Sequence, residues 1–458
     1  MGFTRRLARY VVEQASFDSI PKAVVERSKE MIVNAAGVGL AGAAQPEGQA
    51  IAQFTQEMVG NGKCTIIGMG LRTSPVYASL VNGLVIRVLD FDDEIPRRGS
   101  HPSSVILPAV MALAEPGAAS GADMISAYVT GCEVASKLGA LGSLEASSVS
   151  PPARKWDVDG VAGTIGATAA LGQLLRLDQG QLEHAFGIAA GEASGIQANF
   201  ASASAAYQCG RAAMNGVMAV LLARRGIGSA RQALEAPGGL LELFFGAAGT
   251  GDQEAFFDQL GDPYDVMDPG VALKLYPCAS ASHTTIDAVM QLVQQYRVEP
   301  DQVASARVSV PPETLAALPF ATPRNGWEAR YCLSYLVASA LTSGHPLIDS
   351  FSEAAVQDSR VRQMMDRVTV EATGTATPLI AHPSEVTLTL SGGTQLQHRV
   401  EFARGQPELP LDPPELDAKF LYCSRYIMPP DHIEESITRF RDLENIDNVS
   451  GLISVLGA

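Results

Sequence analysis

The sequence predicts a mainly α-helical protein with a second, smaller α+β domain built on an antiparallel sheet, and three observations carry that prediction. Up to about residue 264, apolar residues recur at helical spacing among alanine, glycine and valine, with almost no strand-like alternation. Period-two alternation then appears at 305–310, 368–371 and 386–390, the last followed by a Gly392-Gly393 turn and a further strand-like run at 395–402. From Pro413 helical spacing returns, anchored by Leu416, Phe420, Ile437, Phe440, Leu443 and Leu452. At 458 residues the chain exceeds what one hydrophobic core usually serves. The expected division is residues 1–265 as the helical domain, 266–408 as the α+β domain and 409–458 as helices that rejoin the first.

Taken in order, residues 7–38 have apolar positions at helical spacing, with Pro21 at a helix start after Ser19. They run into the small-residue stretch 35–42, which lets helices pack closely. A short strand-like segment at 64–68 precedes Ser74-Pro75, the start of a helix through Ala78, Leu80, Val81, Leu84 and Val88. Residues 108–114 and 121–141 read as further helices, with Glu133 expected as a partly exposed helix residue. The Pro- and Ser-rich stretch 147–152 breaks the pattern ahead of a glycine-containing helix at 156–167. Those glycines do not make a dinucleotide site, because no hydrophobic strand or βαβ unit precedes them. Helices at 187–195 and 212–224 follow, joined by a linker at 199–211. In the α+β region Pro277 and a Ser-rich segment lead into a helix at 284–296, and helical patterns recur near 329–343 and 356–367.

Composition narrows the function. Hydrophobic residues make up 47% and charged residues 18%, a balance suited to a large helix-packed globule with a broad buried interface, so a homo-oligomer is expected. The formal charge of −16 argues against nucleic-acid binding, which needs clustered Lys and Arg. Six cysteines without CxxC spacing suggest neither a disulfide framework nor a zinc site, and a reducing cytoplasm is the expected location. No apolar span reaches the roughly 20 residues a bilayer crossing needs, so no membrane partner is expected.

One stretch is chemically denser than the rest. Between Leu89 and Ser104 lie four carboxylates (Asp90, Asp92, Asp93, Glu94), two arginines (Arg97, Arg98) and His101, flanked on both sides by apolar helical sequence. A solvated turn would have no such flanks, so the loop is read as half of a site.

The loop DFDD…HPS with the following VILPAVMALAE, the segment KLYPCASASHTTIDA, the stretch WEARYCLSYLVASALTSG and the late KFLYCS occur in one order over nearly the whole chain. Together they resemble the MmgE/PrpD family, which includes 2-methylcitrate dehydratase, cis-aconitate decarboxylase and iminodisuccinate epimerase. The resemblance implies a large helical domain plus a smaller α+β domain, a homodimer, an active site in the cleft between the domains, and chemistry without a cofactor or metal. It also implies proton transfer or bond cleavage beside a carboxylate through a carbanion-like state. Such chemistry needs a positioned base, cations for the carboxylate, and an acid.

Residue by residue, the resemblance puts catalytic roles on Asp90, His101, Lys274 and His283, with Lys274 or His101 moving the proton and Asp90 orienting His101. This chain also departs from the family pattern. Asp157 and Asp159 stand where histidine and threonine are usual, Ala205 and Gln208 replace a lysine and a histidine, and Glu94 replaces a threonine. A contact between unit charges is worth about 4 kcal/mol at an effective dielectric near 20. Losing cations and gaining carboxylates therefore points to a small carboxylic-acid substrate less anionic than a tricarboxylate, or one bearing an amine. Substrate contacts are expected at Glu94, Arg97, Arg98, Asp157, Ala205 and Gln208, with Arg97, Arg98 and Lys274 holding one carboxylate. The expected reaction is dehydration of a small hydroxy acid. Epimerisation of an amino or imino dicarboxylate, decarboxylation, and a catalytically silent binding protein are the alternatives.

Overall fold

The small-residue stretch at 35–42 lies in helix α2 (Lys22–Ala43), which is buried on all sides from Met31 onward. A helix apolar all round is stable only inside a bundle, and α2 packs against α4 (Pro75–Arg87) and the late helix Pro413–Ser424. The computed structural model describes residues 1–13, 15–141, 156–250, 253–374 and 382–457. Around α2 stand α1 (Phe3–Glu13), α3 (Pro46–Val59), α5 (Pro102–Gly117), α6 (Gly121–Ala140), α7 (Val158–Leu174), α8 (Gln179–Glu192) and α9 (Ala203–Arg224). Glycine sets the α4 to α9 crossing. A Cβ on Gly210 would lie 2.2 Å from the Leu80 carbonyl oxygen, and one on Gly83 would lie 2.5 Å from the Gly210 Cα.

One buried apolar cluster runs from Phe3 and Leu7 through the α2, α4 and α5 side chains to Leu416, Phe420, Phe440 and Leu452, so the C-terminal helices share the core of the N-terminal ones. A second cluster gathers Tyr276, Ile286, Val308, Leu336 and Val386. Two short antiparallel pairs lie outside the main sheet. Strands β1 (Cys64–Ile66) and β2 (Leu71–Thr73) form a hairpin, and β3 (Asp93–Glu94) joins β4 (Ala272–Leu273) across a long separation in sequence. The main sheet contains β5 (Val303–Val310), β6 (Val368–Ala372), β7 (Ser384–Leu390) and β8 (Gln395–Val400), in the order β6-β5-β7-β8.

Several expectations are corrected here. The sheet is mixed rather than antiparallel, because β6 runs parallel to β5 with Ala306 opposite Val368. Alternation marks a strand but not its direction, and a parallel neighbour needs a long crossover, here carrying the helices Leu333–Ser343 and Ser359–Met365. The expected linker at 199–211 is mostly helix, since α9 begins at Ala203. Glu133 is only 1% exposed. Its carboxylate accepts the backbone N–H groups of Gly261 and Asp265, so it pins a loop instead of facing water. The break at 147–152 lies outside the described residues. Among those residues no helix is long and apolar enough to cross a membrane.

Candidate active site

Arg87 ends α4, and three residues later Asp90 adopts a left-handed backbone (φ 53°) that turns the chain sharply back on the helix. Such a conformation is uncommon for a side-chain-bearing residue, though aspartate tolerates it better than most. The turn sets the Asp90 carboxylate 2.5 Å from Arg87 Nη1, while Asp92 Oδ1 lies 3.2 Å from the same nitrogen. Lys274, next after β4, donates to Asp90 Oδ1 at 2.6 Å. The β3 to β4 pairing explains the meeting, because it places Asp93 opposite Leu273 and Glu94 opposite Ala272. Burial alone would raise the Asp90 carboxyl, but the Lys274 and Arg87 charges outweigh it and hold the group well below the usual carboxylate range. Burial likewise acts against the Lys274 ammonium, and Asp90 more than restores it, keeping that side chain protonated.

The rest of the loop is equally committed. Ser103 Oγ donates to Asp93 Oδ2 at 2.8 Å, and burial together with the Asp92 charge pushes the Asp93 carboxyl up to about 7. Ser280 Oγ donates to Glu94, which burial would raise but Lys274 and His101 hold low. Lys419, from the helix Pro413–Ser424, donates to the Phe91 carbonyl at 2.7 Å and the Lys274 carbonyl at 2.6 Å. It thereby ties both halves of the site to the C-terminal region.

His101 precedes Pro102 at the start of α5, and both of its donors point at one carboxylate. Its backbone N–H meets Asp159 Oδ1 at 2.8 Å and its Nδ1 meets Oδ2 at 2.9 Å, while Nε2 lies 3.3 Å from Arg87 Nη2. The orienting carboxylate is therefore Asp159 and not Asp90, whose bonds go to Arg87 and Lys274. Burial and Arg87 disfavour the imidazolium, but Asp159 outweighs them and raises the His101 pKa. Asp159 stands in the first turn of α7, and Asp157 caps that helix by accepting the Gly160 N–H at 2.7 Å. Asp157→Ala should cost about 1 kcal/mol, the usual price of a lost N-cap. Guanidinium denaturation measures it, and an unchanged midpoint would contradict the capping role.

The remaining expected residues have other placements. His283 opens the helix His283–Tyr296 with Nε2 3.3 Å from the Cys278 carbonyl and its ring edge-on to Tyr276. Burial and Lys274 push its pKa down to about 3, so it stays neutral. Arg98 pairs with Asp265 at 2.7 and 3.1 Å, beside Lys137 at 2.7 Å from the same carboxylate. Arg97 is exposed at the loop tip. The pair expected to hold a carboxylate is thus spent or turned outward, because the loop closes on the 265–270 segment through Arg98. Gln208 accepts from the Ile196 N–H and the Asn199 amide, both at 2.9 Å, and so braces a turn. Ala205 is half-buried in the first turn of α9.

Sequence reasoning missed Arg87, the cation at the centre. A lone arginine one helical turn before Asp90, in an otherwise apolar helix, was the available signal. It also missed Arg330, buried with Nη1 3.2 Å from the Val88 carbonyl. Among the described residues no group of His, Cys, Asp and Glu side chains is arranged to hold a metal ion.

Comparison with known proteins matches the MmgE/PrpD N-terminal domain to residues 5–252 and the MmgE/PrpD C-terminal domain to residues 276–445. The chain is 28% identical to the cis-aconitate decarboxylase of Homo sapiens over 445 residues, covering 94% of this chain and 90% of the human protein. It is 26% identical over 478 residues to the cis-aconitate decarboxylase-like protein oryM of Aspergillus oryzae, covering 99% and 97%. With the cis-aconitate decarboxylase of Aspergillus terreus it shares 28% over 372 residues, covering 77% and 74%.

Proposed function

Since this chain belongs to the MmgE/PrpD family, we propose that it is a lyase that removes water from a small hydroxy acid by taking a proton next to a carboxylate. The observation that carries this reading is the presence of two separately held proton carriers. Lys274 sits on Asp90, His101 sits on Asp159, and Arg87 bridges them. Elimination of water needs both a base and an acid. In the proposed step His101 Nε2 takes the proton from the carbon beside the carboxylate, and that C–H electron pair becomes the new double bond. The hydroxyl on the neighbouring carbon leaves with its bonding pair and accepts a proton from the Lys274 ammonium, departing as water. Solvent then takes the extra proton from His101 and returns one to Lys274, which resets both groups. Arg87, whose Nη2 faces His101 Nε2, is the cation suited to the substrate carboxylate and to the charge that develops on it.

Asp90, Glu94 and Asp159, each held ionised, are set against Lys274, Arg87 and His101. That balance supports a substrate with fewer carboxylates than cis-aconitate. Decarboxylation is the second reading, favoured by the names of the relatives. It requires only that a proton be returned to the carbanion left by carbon dioxide.

A proton NMR screen of small hydroxy-, keto- and amino-dicarboxylic acids in heavy water separates the two. Dehydration yields an unsaturated acid, decarboxylation yields a deuterated shortened acid, and exchange alone would indicate an epimerase. Lys274→Met and His101→Gln should each reduce turnover by at least about a hundredfold, the usual contribution of a general acid or base. Turnover unaffected by both changes would remove these residues from the mechanism.

A further inference from the structure

We propose that Asp159 is the positioning residue that decides which nitrogen of His101 exchanges its proton, fixing hydrogen on Nδ1 and leaving Nε2 as the transfer atom. Both Asp159 oxygens are spent on this one residue, Oδ1 on the backbone N–H at 2.8 Å and Oδ2 on Nδ1 at 2.9 Å. Burial acts against the Asp159 carboxylate, but His101 outweighs it and holds the group ionised. An ionised carboxylate only accepts, so the nitrogen facing it must carry hydrogen. In neutral imidazole the other nitrogen then bears a lone pair. That nitrogen lies 3.3 Å from Arg87 Nη2, a group that only donates.

The two contacts therefore select the same tautomer. The opposite one would set a lone pair against the carboxylate and an N–H against the guanidinium. Asp159 is itself fixed, because it lies 6% exposed in the first turn of α7, where a negative charge is favoured and where Asp157 caps the helix. What the Nε2 proton does rests on the lyase reading, whereas the tautomer does not.

Asp159→Asn tests the assignment with little change in volume. Asparagine has a single oxygen, and the fixed backbone N–H of His101 claims it. The amide NH2 then faces Nδ1 and drives hydrogen to Nε2, against Arg87. Nitrogen NMR of 15N-histidine-labelled protein reads the tautomer directly. The seven histidines can be sorted by the resonance that vanishes in His101→Gln.

The expected result is protonated Nδ1 with unprotonated Nε2 in neutral His101 of the unaltered protein, and the reverse in Asp159→Asn. Turnover should fall on the order of a thousandfold or more in kcat with KM nearly unchanged, as when a catalytic histidine is locked in the wrong tautomer. An Nε2–H tautomer in the unaltered protein overturns the assignment, and so does an unchanged tautomer in the variant. The first of these outcomes needs only the His101→Gln reference spectrum and does not depend on Asp159→Asn folding. Because the spectra need no substrate, a protein inert toward every acid would tell against the lyase reading while the tautomer would still be decided.

Discussion

Asp90→Ala should destabilise the protein by about 3–5 kcal/mol and abolish turnover, because it strips the shared acceptor from the buried Lys274 and the partly buried Arg87. Lys274 is 3% exposed and its ammonium has Asp90 as its ion-pair partner; Arg87 keeps Asp92 but loses the shorter of its two carboxylate contacts. An ammonium left in that setting either loses its proton or draws water into the core. Either outcome removes the acid assigned to Lys274. Asp90→Asn should fall between the two proteins, since its one carbonyl can still accept from one of the cations. Urea unfolding measures both variants. A loss below about 1 kcal/mol for Asp90→Ala would be typical of a solvent-exposed pair and incompatible with this burial.

The second large effect is a loss of stability on acidification that passes through His283. Its folded pKa is pushed down to about 3 by burial and by Lys274, against about 6.5 when unfolded. Between those values the unfolded chain binds a proton that the folded chain does not. Stability therefore rises with pH across this window and is lost as pH falls through it, by on the order of 4–5 kcal/mol in full. Asp93 and Glu133, each raised to about 7, act in the opposite direction, because there the folded state holds the extra proton as pH falls below 7. The test is therefore the difference between the unaltered protein and His283→Gln, followed by urea unfolding from pH 7 to pH 4. The unaltered protein should lose its advantage steadily over that range. A difference that stays flat would mean that His283 is not held neutral.

Both predictions concern residues that the sequence singled out, yet neither effect was readable there. Asp90 and His101 stood out because charged groups interrupt apolar helical sequence, and Lys274 stood out through the family resemblance of its segment. Their roles depend on who touches whom. His101 was matched to Asp90, eleven positions away in the same loop, when its partner is Asp159, 58 positions away across the bundle. Lys274 reaches Asp90 over a separation of 184. Arg98 looked free for a substrate until the fold brought Asp265 to it. Glu133 looked half-exposed because one carboxylate in an apolar helix usually is, and only the packing of the 261–265 loop supplies the two N–H groups that let it be buried.

What the sequence determined by itself is what local geometry controls. The repeat of 3.6 or 2.0 residues follows from the backbone of each segment, so many of the helices, the strands of the main sheet and the helix start at Pro75 were legible, and the acidic loop stood out beside them. What only the tertiary structure decided is pairing: β6 parallel to β5, Asp159 on His101, Arg87 at the centre, and Arg98 on Asp265. Hydrogen bonds and ion pairs act over a few ångströms, and the chain holds 49 carboxylates for its 33 lysines and arginines. Which of them come within reach is set by how distant helices pack, and no local pattern encodes that distance.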